Sequence, residues 1–146
     1  MGESYELTEL MIKDHKDIIY CLNKINKSIE DPELAAELFD KFKWEFEKHI
    51  FVEEKAIFTF FNPDIKEDYK DIPYILEEHT TLLEMLMNLE KDIINKKDID
   101  ISKFKKLLEQ HKNFEENSLY PKLDRSLDKS QKSIIIKRIK EITCRE

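Results

Sequence analysis

A single glycine, Gly2, in a chain of 146 residues excludes several chemistries at once. A phosphate-cradling loop and a dinucleotide fingerprint both need glycines where the backbone closes on its ligand, so a nucleotide-dependent enzyme is not expected. Cysteine is almost as scarce. Cys21 and Cys144 lie far apart, form no C-x-x-C pair, and read as reduced thiols of a cytosolic protein. Cys21 stands six residues beyond His15 and so leaves that residue's helical face, which argues against it as a ligand. No apolar run is long enough to cross a bilayer, and MGESYELTEL has no signal-peptide character. A cytoplasmic chain with no membrane partner is therefore expected. Excess positive charge is missing too. The net charge of -7, with Lys and Arg interspersed among Glu and Asp, gives a solvated surface and no footprint for nucleic acid.

Helix-forming sequence is what the chain has in plenty. With 40% hydrophobic and 39% charged residues and almost no glycine, it reads as a single all-α domain, residues 1–146, with short polar joints. Apolar residues recur at helical spacing in four blocks. The first, about residues 4–29, carries Leu7, Met11, His15, Ile18, Leu22, Ile25 and Ile29. Asp31-Pro32 supplies an N-cap and a first-turn proline for the second, about 32–61. Its stripe is Leu34, Leu38, Phe42, Phe46, His49, Glu53, Ile57 and Phe60, and Asn62-Pro63 is its stop. A charged connection from Asp64 to Asp71 leads to the third block, which starts near Pro73 and carries Ile75, His79, Leu82, Leu86, Leu89 and Ile93. The lysine-rich turn from Asn95 to Asp100 ends it. The fourth, about 100–120, carries Phe104, Leu108, His111, Glu115 and Leu119 and is expected to stop at Pro121. Asp128-x-x-Gln131 forms a capping box for a short fifth helix, about 128–143. Four long helices over about 4–120 predict an antiparallel up-down-up-down four-helix bundle, with the C-terminal helix added to it. Tyr120 and Phe58 read as core packing, Trp44, Phe46, Phe51 and Phe61 as core or partner surface, and Glu84 as solvent-facing.

All four histidines fall on these stripes, and two open the same phrase, His49-x-x-x-Glu53 and His111-x-x-x-Glu115. Buried imidazoles and carboxylates must recover the hydrogen bonds or charge neutralisation that water supplied. At about 1.5 Å per residue, His15 and His49 lie roughly 24 and 27 Å from the end of the bundle that holds the first joint. His79 and His111 lie roughly 27 and 21 Å from that same end, so all four converge on one layer. The chain is also internally doubled. A lone histidine is followed by His-x-x-x-Glu 34 residues later in the first half and 32 later in the second, with EEKAIF answering EENSLY.

Four-residue spacing stacks the histidine and glutamate of each phrase one turn apart on one face. Imidazole can then bind one ion while the longer carboxylate reaches between two. Two pairs of histidines with two bridging glutamates serve a pair of ions and leave open positions on each. The metal set is thus His15, His49, Glu53, His79, His111 and Glu115. Nitrogen and oxygen donors without thiolate suit iron or manganese, and zinc fits the same donors. The competing metal-free bundle, with Glu53 and Glu115 paired to histidines, would leave buried polar groups poorly satisfied. Ferritin-like di-iron bundles use Glu-x-x-His with lone glutamates. Here the order of letters is reversed and the lone residues are histidines.

These residues together, His15, HIFVEE from His49, EEHTTLLEML around His79 and HKNFEENSLYP from His111, resemble the hemerythrin-like family, also called the HHE cation-binding domain, to about Asp124. The resemblance implies a four-helix bundle with two non-haem iron ions, bridged by carboxylate and by oxo or hydroxo. It implies a protein that binds dioxygen or nitric oxide for sensing or scavenging. An enzyme acting on peroxide or nitric oxide and an iron-handling protein are the alternatives, and an enzyme would depend on metal-bound chemistry. Oxygen carriers of the family have a further histidine one turn after the third, where this chain has Leu83, so bulk oxygen carriage is not implied. Carriers also place the last acidic ligand five residues after the final histidine, at Glu116. Glu115 repeats the His49–Glu53 spacing and is preferred, with Glu54 and Glu116 as substitutes. No output domain is fused to the sequence, so sensing would be read out by a separate protein partner.

Overall fold

The computed structural model describes residues 6–60 and 70–143, and their backbone is helical except at the joints. Four helices run antiparallel, up-down-up-down: α1 is Glu6–Lys27, α2 Pro32–Phe51, α3 Ile72–Ile94 and α4 Ser102–Phe114. A π-helical turn, Val52–Ile57, and a 3-10 turn, Phe58–Phe60, prolong α2. A second π-helical turn, Glu115–Leu119, carries α4 directly into α5, Tyr120–Ser126, and α6 follows at Lys129–Thr143. Consecutive helices pack side by side, α5 closes the ring against α1, and α6 lies against α1 and the first π-helical turn. Residues 4 and 5 of the first expected block, Phe61, the Asn62-Pro63 stop, residues 64–69 of the connection and Cys144 lie outside the described residues.

Local chemistry sets the helix ends. Leu34 N–H donates to the Asp31 carboxylate at 3.2 Å, capping α2 ahead of Pro32. Asp128 and Gln131 bond reciprocally, each backbone N–H to the other's side chain, at 3.0 and 2.8 Å, opening α6 as a capping box. α3 ends with Lys96 at φ 55°, its N–H on Ile93 O and that of Lys97 on Asp92 O. This is a Schellman ending, built here with lysine in the left-handed position that glycine usually takes.

Two expectations need correction. Leu34 is 40% exposed and Leu38 only partly buried, whereas Ala35 and Phe39 are in the core. Each four-residue step overshoots a 3.6-residue turn by about 40°, so an unbroken run of such steps walks off the core face. The alternation Ala35, Phe39, Phe42, Phe46 stays on it. The second correction is Pro121, which does not end the helix. It sits in the first turn of α5, immediately after a π-helical turn. The wider turn breaks the regular i→i−4 register whose carbonyl the proline ring would otherwise meet.

The interior forms two apolar clusters. One holds Ile18, Leu22, Phe39, Phe42, Phe46, Leu82, Leu86, Phe104 and Leu108 toward the first and third joints. The other holds Leu7, Met11, Val52, Ile57, Ile75, Leu119, Tyr120 and Leu123, and α6 adds Ile135, Ile136 and Ile139 to it. All four histidines lie between them. Phe46 belongs to the core, while Trp44 and Phe51 are half exposed, with Lys48 over the Trp44 ring, and Glu84 faces solvent.

Candidate metal centre

His15 projects from the middle of α1, His79 from the second turn of α3, and His49 and His111 from the last turns of α2 and α4. Glu53 and Glu115 sit in the two π-helical turns that follow. In each turn the N–H five residues on, from Phe58 or Tyr120, bonds back to the glutamate carbonyl. The doubling read from the sequence therefore extends to the backbone. All six expected side chains are brought together and buried, with Glu53 and Glu115 at 0% exposure.

The six residues form two overlapping sets, His15, His49, Glu53, Glu115 and Glu53, His79, His111, Glu115. Within each, one donor atom per residue lies within 4.8 Å of the others. Each carboxylate divides its oxygens between the sets. Glu115 Oε1 is 3.0 Å from His15 Nε2 and 3.9 Å from His49 Nε2, while its Oε2 is 3.2 Å from His111 Nε2 and 3.9 Å from His79 Nε2. Glu53 Oε2 is 3.5 Å from His49 Nε2, and its Oε1 is 3.0 Å from His79 Nε2.

Every outward imidazole nitrogen meets a further carboxylate. Nδ1 of His15 lies 2.8 Å from Glu116, and those of His49, His79 and His111 lie 2.7 Å from Asp14, Glu54 and Glu78. An ionised carboxylate only accepts, so Nδ1 carries the proton in each pair and the Nε2 lone pair is left for the interior. Glu54 and Glu116 thus face the backs of His79 and His15 and are not substitutes for Glu53 and Glu115. The sequence reading did not find Asp14 and Glu78 in this role. Their signal was an acidic residue next to a lone histidine, and no local rule says which ring it reaches.

Electrostatics favour a cation here. Four inward atoms, His49 Nε2, Glu53 Oε1, His79 Nε2 and Glu115 Oε2, have no hydrogen-bond partner although buried. Atoms so placed are costly unless something shared satisfies them. Without metal, protons compensate. Burial pushes His79 down, but the carboxylates of Glu115, Glu53 and Glu54 around it overcome this and raise the ring to about 10. Burial likewise opposes the charged forms of His49 and His111, yet neighbouring carboxylates hold both above the ordinary imidazole value. Burial would raise Glu115, but the four histidines hold it well below the usual carboxylate range. The donors fit cation binding: imidazole nitrogens and carboxylate oxygens with no thiolate.

Tyr120 packs in the core as the sequence suggests, and it also reaches the metal donors, which the sequence did not reveal. Its ring is in the core, but its hydroxyl donates to Glu53 Oε2 at 2.9 Å and lies 3.2 Å from His15 Nε2. In a regular α-helix a residue five positions after Glu115 would stand well off its face. The π-helical turn between them brings it back. On the other side of the histidines, a cavity of ≈ 10 Å³ is bounded by His15, Ile18, Phe46, His49, Leu108 and His111.

Fold and site together define a helical-bundle protein with a buried histidine–carboxylate cation site. The hemerythrin HHE cation-binding domain matches residues 6–123, and the chain belongs to that family. Domains of this family bind metal cations, and the buried cluster fits that role. Neither a curated protein nor a solved structure matches the chain significantly. Among the described residues no helix is long and apolar enough to cross a membrane.

Proposed function

We propose that this protein holds two non-haem iron ions and binds dioxygen or nitric oxide for sensing or scavenging rather than for bulk oxygen carriage. His15 and His49 would serve one ion and His79 and His111 the other, with Glu53 and Glu115 between them. One observation carries the reading: each glutamate turns one oxygen to each histidine pair. A single ion would use one half of that arrangement and leave the other unexplained. The donors also suit manganese and zinc, and iron is preferred for diatomic chemistry. Bound iron would supply open coordination positions and a redox couple that the side chains lack.

The protein's own residues do the rest. Asp14, Glu54, Glu78 and Glu116 hold the four rings in one tautomer with Nε2 inward. The apolar clusters on both sides keep bulk water away. The cavity of ≈ 10 Å³ beside His15, His49 and His111 is at the lower limit for a single water, so little space adjoins these rings. Leu83, one turn beyond His79, packs with the apolar cluster and offers no further donor. A free thiol at Cys21 is in keeping with a cytoplasmic location, and a separate protein partner would receive the signal of a sensor.

The test is iron loading followed by elemental analysis and optical spectra of the reduced protein with nitric oxide and with dioxygen. Two ions per chain and a spectral change with either gas are expected. A single ion that survives replacement of both Glu53 and Glu115 would sink the two-ion reading. Sustained turnover of peroxide would move the protein to the enzymes.

A further inference from the structure

The two candidate metal positions are built alike from the doubled sequence. His15 answers His79, His49 answers His111, and Glu53 answers Glu115, each glutamate inside its own π-helical turn. The carboxylates behind the rings follow the same rule. Asp14 and Glu78 precede the lone histidines, and Glu54 and Glu116 follow the glutamates. The correspondence breaks five residues after each glutamate, where the first half has Phe58 and the second has Tyr120. The difference is a hydroxyl.

That hydroxyl is buried at the centre of the molecule and touches one metal position only. It donates to Glu53 Oε2 at 2.9 Å, the oxygen that faces His49, and lies 3.4 Å from Glu115 Oε1, the oxygen that faces His15. It lies 3.2 Å from His15 Nε2 and forms no hydrogen bond to His79 or His111. We propose that Tyr120 makes the two metal positions unequal, as a neutral hydrogen-bond donor on the His15/His49 side. The assignment rests on the two-ion reading and adds to it which ion differs and why.

The physical reason is competition for lone pairs. A hydrogen bond to Glu53 Oε2 withdraws electron density from the oxygen that would serve the ion on His15 and His49. The oxygens facing His79 and His111 bear no such load, so that position binds its ion more tightly. A hydrogen bond to a charged acceptor is worth enough to separate the two affinities by roughly tenfold or more. Tyr120 is a positioning residue in this account, not a ligand.

Two measurements on the full chain test it. Titration of the metal-free protein with cobalt(II), followed by calorimetry and by the cobalt absorption bands, should show two separated steps. Tyr120→Phe should still take up two ions, with the steps drawn to within about threefold of each other. Separate steps unchanged in Tyr120→Phe would overturn the assignment. The second measurement needs no variant. Mössbauer spectra of the iron-loaded natural protein should resolve two doublets of equal area, and a single doublet would overturn the assignment. A tyrosinate-to-iron charge-transfer band would do so as well, because it would make Tyr120 a ligand. Natural protein that binds only one ion would instead overturn the two-ion reading, and this assignment with it.

Discussion

Glu54 on the extension of α2 holds Nδ1 of His79 on α3 at 2.7 Å, although its sequence neighbour Glu53 points into the metal layer. The same relation runs round the bundle. Asp14 of α1 holds His49 of α2, Glu78 of α3 holds His111 of α4, and Glu116, just beyond α4, holds His15 of α1. Each rod thus carries a donor aimed inward and an acid that orients the ring on the next rod.

Removing one link should loosen one ring. Glu54→Ala is expected to weaken metal binding about 10–100-fold, read by competition with a coloured chelator. Glu54→Gln should cost less, since its amide oxygen can still accept from Nδ1. Glu84→Ala, at an exposed position, should change nothing. Equal losses in all three would show that the effect is not the Glu54–His79 bond.

Metal that binds only the folded state stabilises it by mass action, by about 2.7 kcal/mol when the free ion is 100-fold above its dissociation constant. Chelation should therefore lower the melting temperature of metal-loaded protein. In His79→Leu, which removes one donor from the second set, the response to chelator should be blunted. Identical melting curves with and without chelator in the natural protein would favour a metal-free bundle held by its ion pairs.

Lys96 holds φ 55° to end α3 without glycine. A side chain in that conformation costs about 1–2 kcal/mol, and glycine returns part of the gain as unfolded-state entropy. Lys96→Gly should stabilise the protein by about 0.5–1 kcal/mol in urea unfolding. Lys96→Ala, which keeps a Cβ at the same angle, should not. A gain with alanine equal to that with glycine would place the effect in the lysine side chain.

Asp71, just before α3, accepts from Ser118 Oγ at 3.0 Å and from Lys122 Nζ, tying α3 to the second π-helical turn and α5. Burial pulls its carboxyl upward, but these two donors hold it below its ordinary value of 3.8. A lowered folded value means the stabilisation is fully present above pH 3.8 and fades as pH falls through the lower folded value. Asp71→Asn should thus cost about 1 kcal/mol at neutral pH, with the difference from the natural protein closing under acid. A difference that is constant with pH would mean that the charge of Asp71 is not what matters.

Much of this protein was legible one residue at a time. Helical periodicity placed Ile75, His79, Leu82, Leu86, Leu89 and Ile93 on one buried face, and all of them are there. The caps at Asp31 and Asp128 rest on a side chain reaching a backbone N–H three residues on, a local interaction. The convergence of four histidines and two glutamates followed from helical rise and joint positions alone. These features depend on spacing along the chain, and spacing is what a sequence states.

Other features needed the third dimension. Whether Leu34 or Ala35 turns inward depends on how α2 is rotated against its neighbours, and the packing of Phe39 and Phe42 decided it. Which ring each acid behind the site would reach depended on the order of helices around the bundle, so Glu54 and Glu116 could be mistaken for ligands. The approach of the Tyr120 hydroxyl to the glutamates was not legible because two π-helical turns change the period there, and no residue pattern announces a shift from i→i−4 to i→i−5 bonding. Local propensity discriminates poorly between two such turns, whereas burying Glu53, Glu115 and the Tyr120 hydroxyl against one another does. The sequence by itself determined the helices and the donors. Tertiary packing decided the rotation, the partners behind each ring and the place of the Tyr120 hydroxyl beside Glu53 and His15.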